Sequence, residues 1–157
     1  MSTRRIKVGL WQMQAGLEPA AARVAAEAVI ADMANEGAAL VLLPEFFALP
    51  YFPQQENEAC FALAEPAEAS ETVRWGQAQA RQHGVALPIS FFERSEPHCY
   101  NSVAFVGSDG EVQGVYRKSH IPDGPGYEEK FFFRPGNTGF QVFQGQGVRV
   151  GVGICWD

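Results

Sequence analysis

Residues 39–43, Ala-Leu-Val-Leu-Leu, are apolar at every position, and the run is shorter than an ordinary helix. A short stretch with no polar side on either face of the pleat belongs to a strand covered above and below, so the chain must build layers around a sheet. The residues before it agree. Ile6, Val8 and Leu10 alternate with Lys7, Gly9 and Trp11, giving a first strand through about Met13. Pro19 suits a first helical turn, and Val24, Ala25, Ala28, Val29 and Met33 form a stripe of helical period that Gly37 ends. Strand, helix, strand therefore opens an α/β fold.

From Pro44 to Pro66 the sequence turns irregular and aromatic, with Phe46, Phe47, Tyr51, Phe52 and Phe61, and reads as a long loop with one helical turn at most. Ser70 caps a second helix with Val73 and Ala80 on its apolar side and His83-Gly84 at its end. A third strand spans 85–92, where Pro88 calls for an edge or a bulge. Strands over 100–106 and 112–116 flank Ser108-Asp109-Gly110 as an antiparallel hairpin, and His98-Cys99 ahead of them read as a loop pair. Between Arg117 and Asn137 prolines and glycines remove all periodicity, and a loop of about twenty residues inside a domain is usually functional. A last hairpin over 138–143 and 148–154 turns at Gly145-Gln146-Gly147. With no repeat and no linker, residues 1–157 read as one domain.

Composition narrows the partners. Twelve basic against eighteen acidic residues give a net charge of -6, which disfavours nucleic acid and anionic membrane and suits neutral or cationic small molecules. No segment approaches the roughly 20 uninterrupted apolar residues of a membrane span, and the N-terminus carries no targeting signal. Cys60, Cys99 and Cys155 show no pairing pattern, which points to a reducing, cytoplasmic setting. His83, His98 and His120 lack metal-ligand spacing with each other or with cysteines.

Three residues stand where a sheet gathers chemistry. Cys155 ends the alternating run Val148, Val150, Val152, Ile154, among glycines that let other backbone approach. Alone it reads first as a buried structural cysteine, the commoner fate of a free thiol, and it becomes a nucleophile only with a base and an activating charge. Glu45 leaves the end of the apolar strand into aromatic surroundings, fit to take and return protons, though a solvated loop glutamate is the plainer alternative. Lys118 closes the 112–117 strand, where an ammonium lowers a neighbouring thiol's pKa and stabilises an oxyanion, unless it is an ordinary surface lysine.

Taken together, Leu43-Pro44-Glu45-Phe46-Phe47, Tyr116-Arg117-Lys118-Ser119-His120-Ile121-Pro122 and Gly153-Ile154-Cys155-Trp156-Asp157 resemble the Glu, Lys and Cys signatures of the nitrilase superfamily of carbon–nitrogen hydrolases. The resemblance runs from Lys7 to the last residue. It implies a four-layer α-β-β-α sandwich, homo-oligomeric assembly, and no cofactor or metal. It implies Glu45 as base, Lys118 and the Trp156 backbone N–H as oxyanion donors, and Cys155 as nucleophile. A second family glutamate, an orienting group, falls on Glu129 with Glu128 adjacent.

Residues 118–133 most resemble the N-carbamoylputrescine amidase branch, which implies release of putrescine, carbon dioxide and ammonia in polyamine synthesis. Tyr51 and Asp123 are then candidate contacts for the substrate ammonium. Family members run well beyond their nucleophile, so the sequence reads as the N-terminal half to two-thirds of the sandwich, inactive alone. The alternatives are a sibling acting on another carbamoyl compound, an amide or a nitrile, and a non-catalytic scaffold. A nucleotide-binding domain lacks its glycine-rich loop, since Trp11-Gln12-Met13-Gln14 follows the first strand.

Overall fold

The computed structural model of the chain describes residues 5–13 and 16–157. The N-terminal residues 1–4, expected to carry no targeting signal, and Gln14 of the glycine-free turn lie outside them. Strands β1 (Val8–Leu10) and β2 (Leu40–Leu42) pair in parallel, Val8 opposite Leu40 and Leu10 opposite Leu42. Helix α1 (Pro19–Asn35) connects them, with Pro19 at its first turn, where the absent N–H is not needed. β2 meets the next strand at one point, through 3.0 Å backbone bonds from Val41 N–H to the Ala86 carbonyl and from Ala86 N–H to the Ala39 carbonyl.

Helix α2 (Glu71–His83) begins where Ser70 Oγ accepts the Val73 N–H at 3.0 Å and ends at Gly84, whose φ of 67° suits a residue without Cβ. Strands β3 (Leu87–Ser95), β4 (His98–Val106) and β5 (Val112–Arg117) then form an antiparallel meander. Pro88 pairs with Phe105 in β4 just past the point where β2 leaves, so it occupies the edge position a proline requires.

Packing sorts by face. Ala26 and Ile30 of α1 and Ala80 of α2 cluster with Val41, Leu43, Leu87, Ile89 and Val106, so both helices cover one side of the sheet. The hairpin of β6 (Val142–Gly145) and β7 (Val148–Gly151) covers the other. There Phe143 stacks on Phe105 with centroids 4.8 Å apart and planes 8° from parallel, and Val150, Val152 and Ile154 join Val103 and Tyr116. Helices, sheet and second β layer follow the α-β-β-α order.

A separate aromatic cluster of Phe46, Phe52, Phe92, Phe132 and Phe133 organises the two segments without periodicity. The first contains 3-10 turns at Phe52–Gln54, Glu58–Leu63 and Ala67–Ala69. The second contains the short helix α3 (Glu129–Phe132), which drives Phe132 into the cluster. Aromatic burial fixes both segments, and such contacts leave no regular spacing to read.

Some expectations are corrected. Val24 is 67% exposed, and α1 buries Ala22, Ala26 and Ile30 instead. In an alanine-rich helix every face is apolar, and the small side chains win the side that approaches the sheet. β2 is covered on both faces at Leu40 and Val41, but its last residue Leu42 is 44% exposed and Leu10 of β1 68% exposed, so the cover stops short of the strand's end. His98 and Cys99 belong to β4, opposite Ser95 and Arg94, because a tight turn lets both strands run to 95 and 98.

Candidate active site

Glu45, Lys118 and Glu129 converge from separate elements. Glu45 follows β2 in a turn fixed by its neighbour Phe46, whose N–H donates to Ser90 Oγ at 3.1 Å and whose φ of 50° is unusual for a residue with Cβ. Lys118 follows β5, its N–H donating to the Asn101 carbonyl at 2.9 Å and its carbonyl accepting the Gly136 N–H at 2.8 Å. Position 136 must be glycine here, since a Cβ would strike the Arg117 carbonyl. Glu129 opens α3 and is 1% exposed, whereas Glu128 points its backbone N–H to the Pro53 carbonyl and stays half-buried.

Lys118 Nζ lies 2.7 Å from Glu129 Oε2 and 3.4 Å from Glu45 Oε1, with its side chain fully buried. Tyr51 donates its hydroxyl to Glu129 Oε1 at 2.7 Å, and Asn101 Nδ2 donates to Glu45 Oε1. Burial first, and then the bond to Glu129, push the Tyr51 pKa far up, so this donor keeps its proton. A buried ammonium between two hydrogen-bonded carboxylates is compensated on every side.

The thiol is presented differently from the sequence expectation. β7 stops at Gly151, and Cys155 sits on a tight turn closed by Asp157 N–H to the Ile154 carbonyl at 3.0 Å, with a left-handed φ of 46°. Cys155 and Glu45 line one cleft of about 550 Å³, walled by apolar groups including Leu10, Leu42, Pro88, Val103 and Ile154. A second cavity of about 600 Å³ shares Gln12, Pro44 and Glu45 with it and extends to Tyr51, Gln54, Asn57 and Cys60. Burial raises the Cys155 pKa, with Glu45 and Glu129 adding to the rise, while the Lys118 charge and the Trp156 N–H pull it down. Lys118 thus acts in the expected direction but is outweighed. The net shift favours the thiol over the thiolate.

Two further expectations change. Lys118 has no exposure to the cleft in this structure, so its ammonium acts on Cys155 and Glu45 from behind. Asp123 lines neither cavity; it is 47% exposed in the 118–128 loop with Lys130 3.9 Å away. Tyr51 does reach the second cavity, with its hydroxyl already engaged by Glu129.

Asn101 and Asp157 are the participants that sequence reasoning missed. The adjacent polar pair Asn101-Ser102 inside an apolar strand was the available signal, since both prove fully buried. Arg117, a conceivable partner for an anionic substrate, is spent on Glu93, with Nε 2.8 Å from Oε2, and lies 4.1 Å over the Tyr100 ring. Among the described residues no group of three or more His, Cys, Asp or Glu is placed to hold a metal ion, and no helix is long and apolar enough to cross a membrane.

The family model of the carbon-nitrogen hydrolases matches residues 7–157. The chain belongs to this family, the nitrilase superfamily. This carbon-nitrogen hydrolase is 47% identical over 133 residues to an N-carbamoylputrescine amidase of Arabidopsis thaliana, covering 85% of this chain and 44% of that one. It is 42% identical over 152 residues to a citrullinase of Francisella tularensis, covering 97% and 53%. The solved carbon-nitrogen hydrolase from Helicobacter pylori G27 matches with a TM-score of 0.88 at 34% identity, covering 97% of this chain and 52% of that one. The chain spans about half the length of these relatives, and its layers are those of the nitrilase fold.

Proposed function

We propose that the complete protein is a cysteine amidohydrolase that converts N-carbamoylputrescine and water to putrescine, carbon dioxide and ammonia. The observation that carries the reading is the cleft shared by the Glu45 carboxylate and the Cys155 thiol, with the Lys118 charge behind both. Glu45 takes the thiol proton and the thiolate attacks the ureido carbonyl. The Trp156 N–H meets the developing oxyanion, and the Lys118 ammonium, held behind by Glu45 and Glu129, favours the negative charge. Glu45 returns the proton to the departing nitrogen. A water deprotonated by Glu45 cleaves the thioester, and the resulting carbamic acid breaks down to carbon dioxide and the second amine. Glu129 and Tyr51 orient Lys118 throughout.

The Arabidopsis thaliana relative supports this substrate. So do the cavity walls: among the described residues lining them there is no lysine, arginine or histidine, so a carboxylate at the far end of a substrate finds no cation there. A cytoplasmic homo-oligomer belongs to the same reading. The citrullinase relative supports a second one, in which another carbamoyl compound, an amide or a nitrile is the substrate.

The test is kcat/KM on the complete protein for N-carbamoylputrescine, its acetylated-amine analogue, β-ureidopropionate and citrulline. The amine is expected to lead by about a hundredfold, because an unpartnered buried charge is heavily disfavoured. Equal turnover of the acetylated or acidic compounds would replace this reading with the second, and no turnover of any carbamoyl compound, amide or nitrile would leave the scaffold.

A further inference from the structure

We propose that Asp157 is the positioning residue of the nucleophile, a carboxylate clamp that fixes the Cys155 turn to both flanks of Lys118. The proposal rests on the amidohydrolase reading above. On the nucleophile side, Asp157 Oδ2 accepts the N–H of Ile154, the residue before Cys155, at 3.0 Å. The same oxygen accepts the Tyr116 hydroxyl at 2.7 Å, two residues before Lys118. Oδ1 accepts the N–H groups of Ser119 and His120, the two residues after Lys118, each at 3.0 Å, and contacts His120 Nδ1 at 3.1 Å. One side chain therefore binds the thiol's turn and the chain on either side of the ammonium.

The need for such a tie lies in the backbone. Cys155 holds a left-handed φ of 46°, a conformation that persists only when its surroundings dictate it. β7 has already ended at Gly151 and Gly153 is exposed, so apart from the packing of Ile154 and the turn's own backbone bond, the Asp157 side chain is what ties this turn to the chain around Lys118. Lys118, by contrast, is held by backbone bonds to Asn101 and Gly136. The carboxylate transfers that rigidity to the thiol. Burial works against its ionisation, but the hydrogen bonds from Tyr116, Ile154 and His120 prevail and hold its pKa below the usual aspartate value, so both oxygens remain acceptors.

Chemistry makes the requirement specific. Each Asp157 oxygen faces a backbone N–H, which cannot reverse its role as donor. An amide of the same shape satisfies one side and turns its NH₂ against the other. Asp157→Asn is thus the discriminating variant, and it is compared with wild type in the complete protein by kcat, KM, thermal midpoint and iodoacetamide alkylation of each cysteine.

The expected result is a fall of about a hundredfold in kcat with KM within a few-fold, as for a displaced reacting group. Cys155 should also alkylate more slowly as it leaves the Lys118 field, with Cys60 and Cys99 unchanged. A kcat within a few-fold of wild type overturns the proposal, as does a loss wholly in KM. Tyr116→Phe keeps every backbone bond and should lower kcat several-fold; wild-type kcat there overturns the clamp even if Asp157→Asn does not fold. If the wild type hydrolyses nothing, the amidohydrolase reading fails by itself, and an unchanged Cys155 alkylation rate in Asp157→Asn still decides against the clamp.

Discussion

The Lys118 ammonium is closed onto Glu129 at 2.7 Å, both side chains being at most 1% exposed. Glu45, at 3.4 Å and 23% exposed, is the looser partner of the same lysine. That asymmetry separates the two carboxylates by place: Glu129 is the buried partner of the lysine, and Glu45 is the one that lines the cleft.

Lys118→Ala and Lys118→Arg should therefore be almost equally damaging. Alanine leaves two carboxylates without their buried partner, which destabilises by about 3–5 kcal/mol. Arginine keeps the charge, but a planar guanidinium needs more room than a fully buried ammonium has. Each variant should lose on the order of a hundredfold in turnover. Steady-state kinetics checks this, and a Lys118→Arg enzyme within a few-fold of wild type would show that bulk charge suffices.

The free thiol should not behave as a preformed thiolate. Because burial outweighs Lys118, the Cys155 pKa stands above the ordinary thiol value. The thiolate fraction grows as pH rises toward that pKa, so iodoacetamide alkylation of Cys155 without substrate should still be climbing at pH 9. A rate already level between pH 6 and 8 would contradict the raised pKa. Cys155→Ser should abolish nearly all turnover, since a hydroxyl is far harder to activate.

Asn101 touches both Glu45 and Lys118, its side chain donating to Glu45 and its carbonyl accepting from Lys118 N–H. Asn101→Asp places a second carboxylate against Glu45 in a fully buried position. Like charges there should shift the acidic limb of the kcat/KM profile upward, and kcat should drop by at least about tenfold. An unchanged pH profile would remove Asn101 from the site.

Arg117 and Glu93 should matter to stability and not to substrate choice. Glu93 is 3% exposed, and its bond raises the Arg117 pKa, so the guanidinium stays charged at any working pH. Arg117→Ala strands a buried carboxylate and should cost about 3–5 kcal/mol in urea unfolding. A loss below about 1 kcal/mol would mean that Glu93 finds water or protonates at little cost.

The order of strands and both long helices were legible because each follows a local rule, alternation or capping, and Glu45 and Lys118 do stand just past strand ends, whereas the turn that carries Cys155 beyond Gly151 was not legible. Ser70 and Gly84 mark α2 by their own chemistry, whatever surrounds them. The face of α1 was not legible, since its choice of Ala26 over Val24 depends on what the sheet presents. Nor was the register that sets Asn101 beside Lys118, which exists only once β4 and β5 pair. Asp123 looked suitable as a loop carboxylate, and nothing in its neighbours announced that the loop would carry it outward.

β1 and β2 are three residues each, and β2 touches the larger sheet only around Ala86, yet Glu45 hangs from the end of β2. Glu45 is thus anchored at the thinnest seam of the described sheet, while Lys118 follows β5, which is paired with β4 along its length. Segments with few partners open at lower free energy than the whole. On warming or in mild denaturant, turnover should fade while the helical and meander signals persist, and amides of 40–42 should exchange before those of 100–106. A three-residue strand should therefore set the temperature at which turnover is lost, below that at which the meander unfolds.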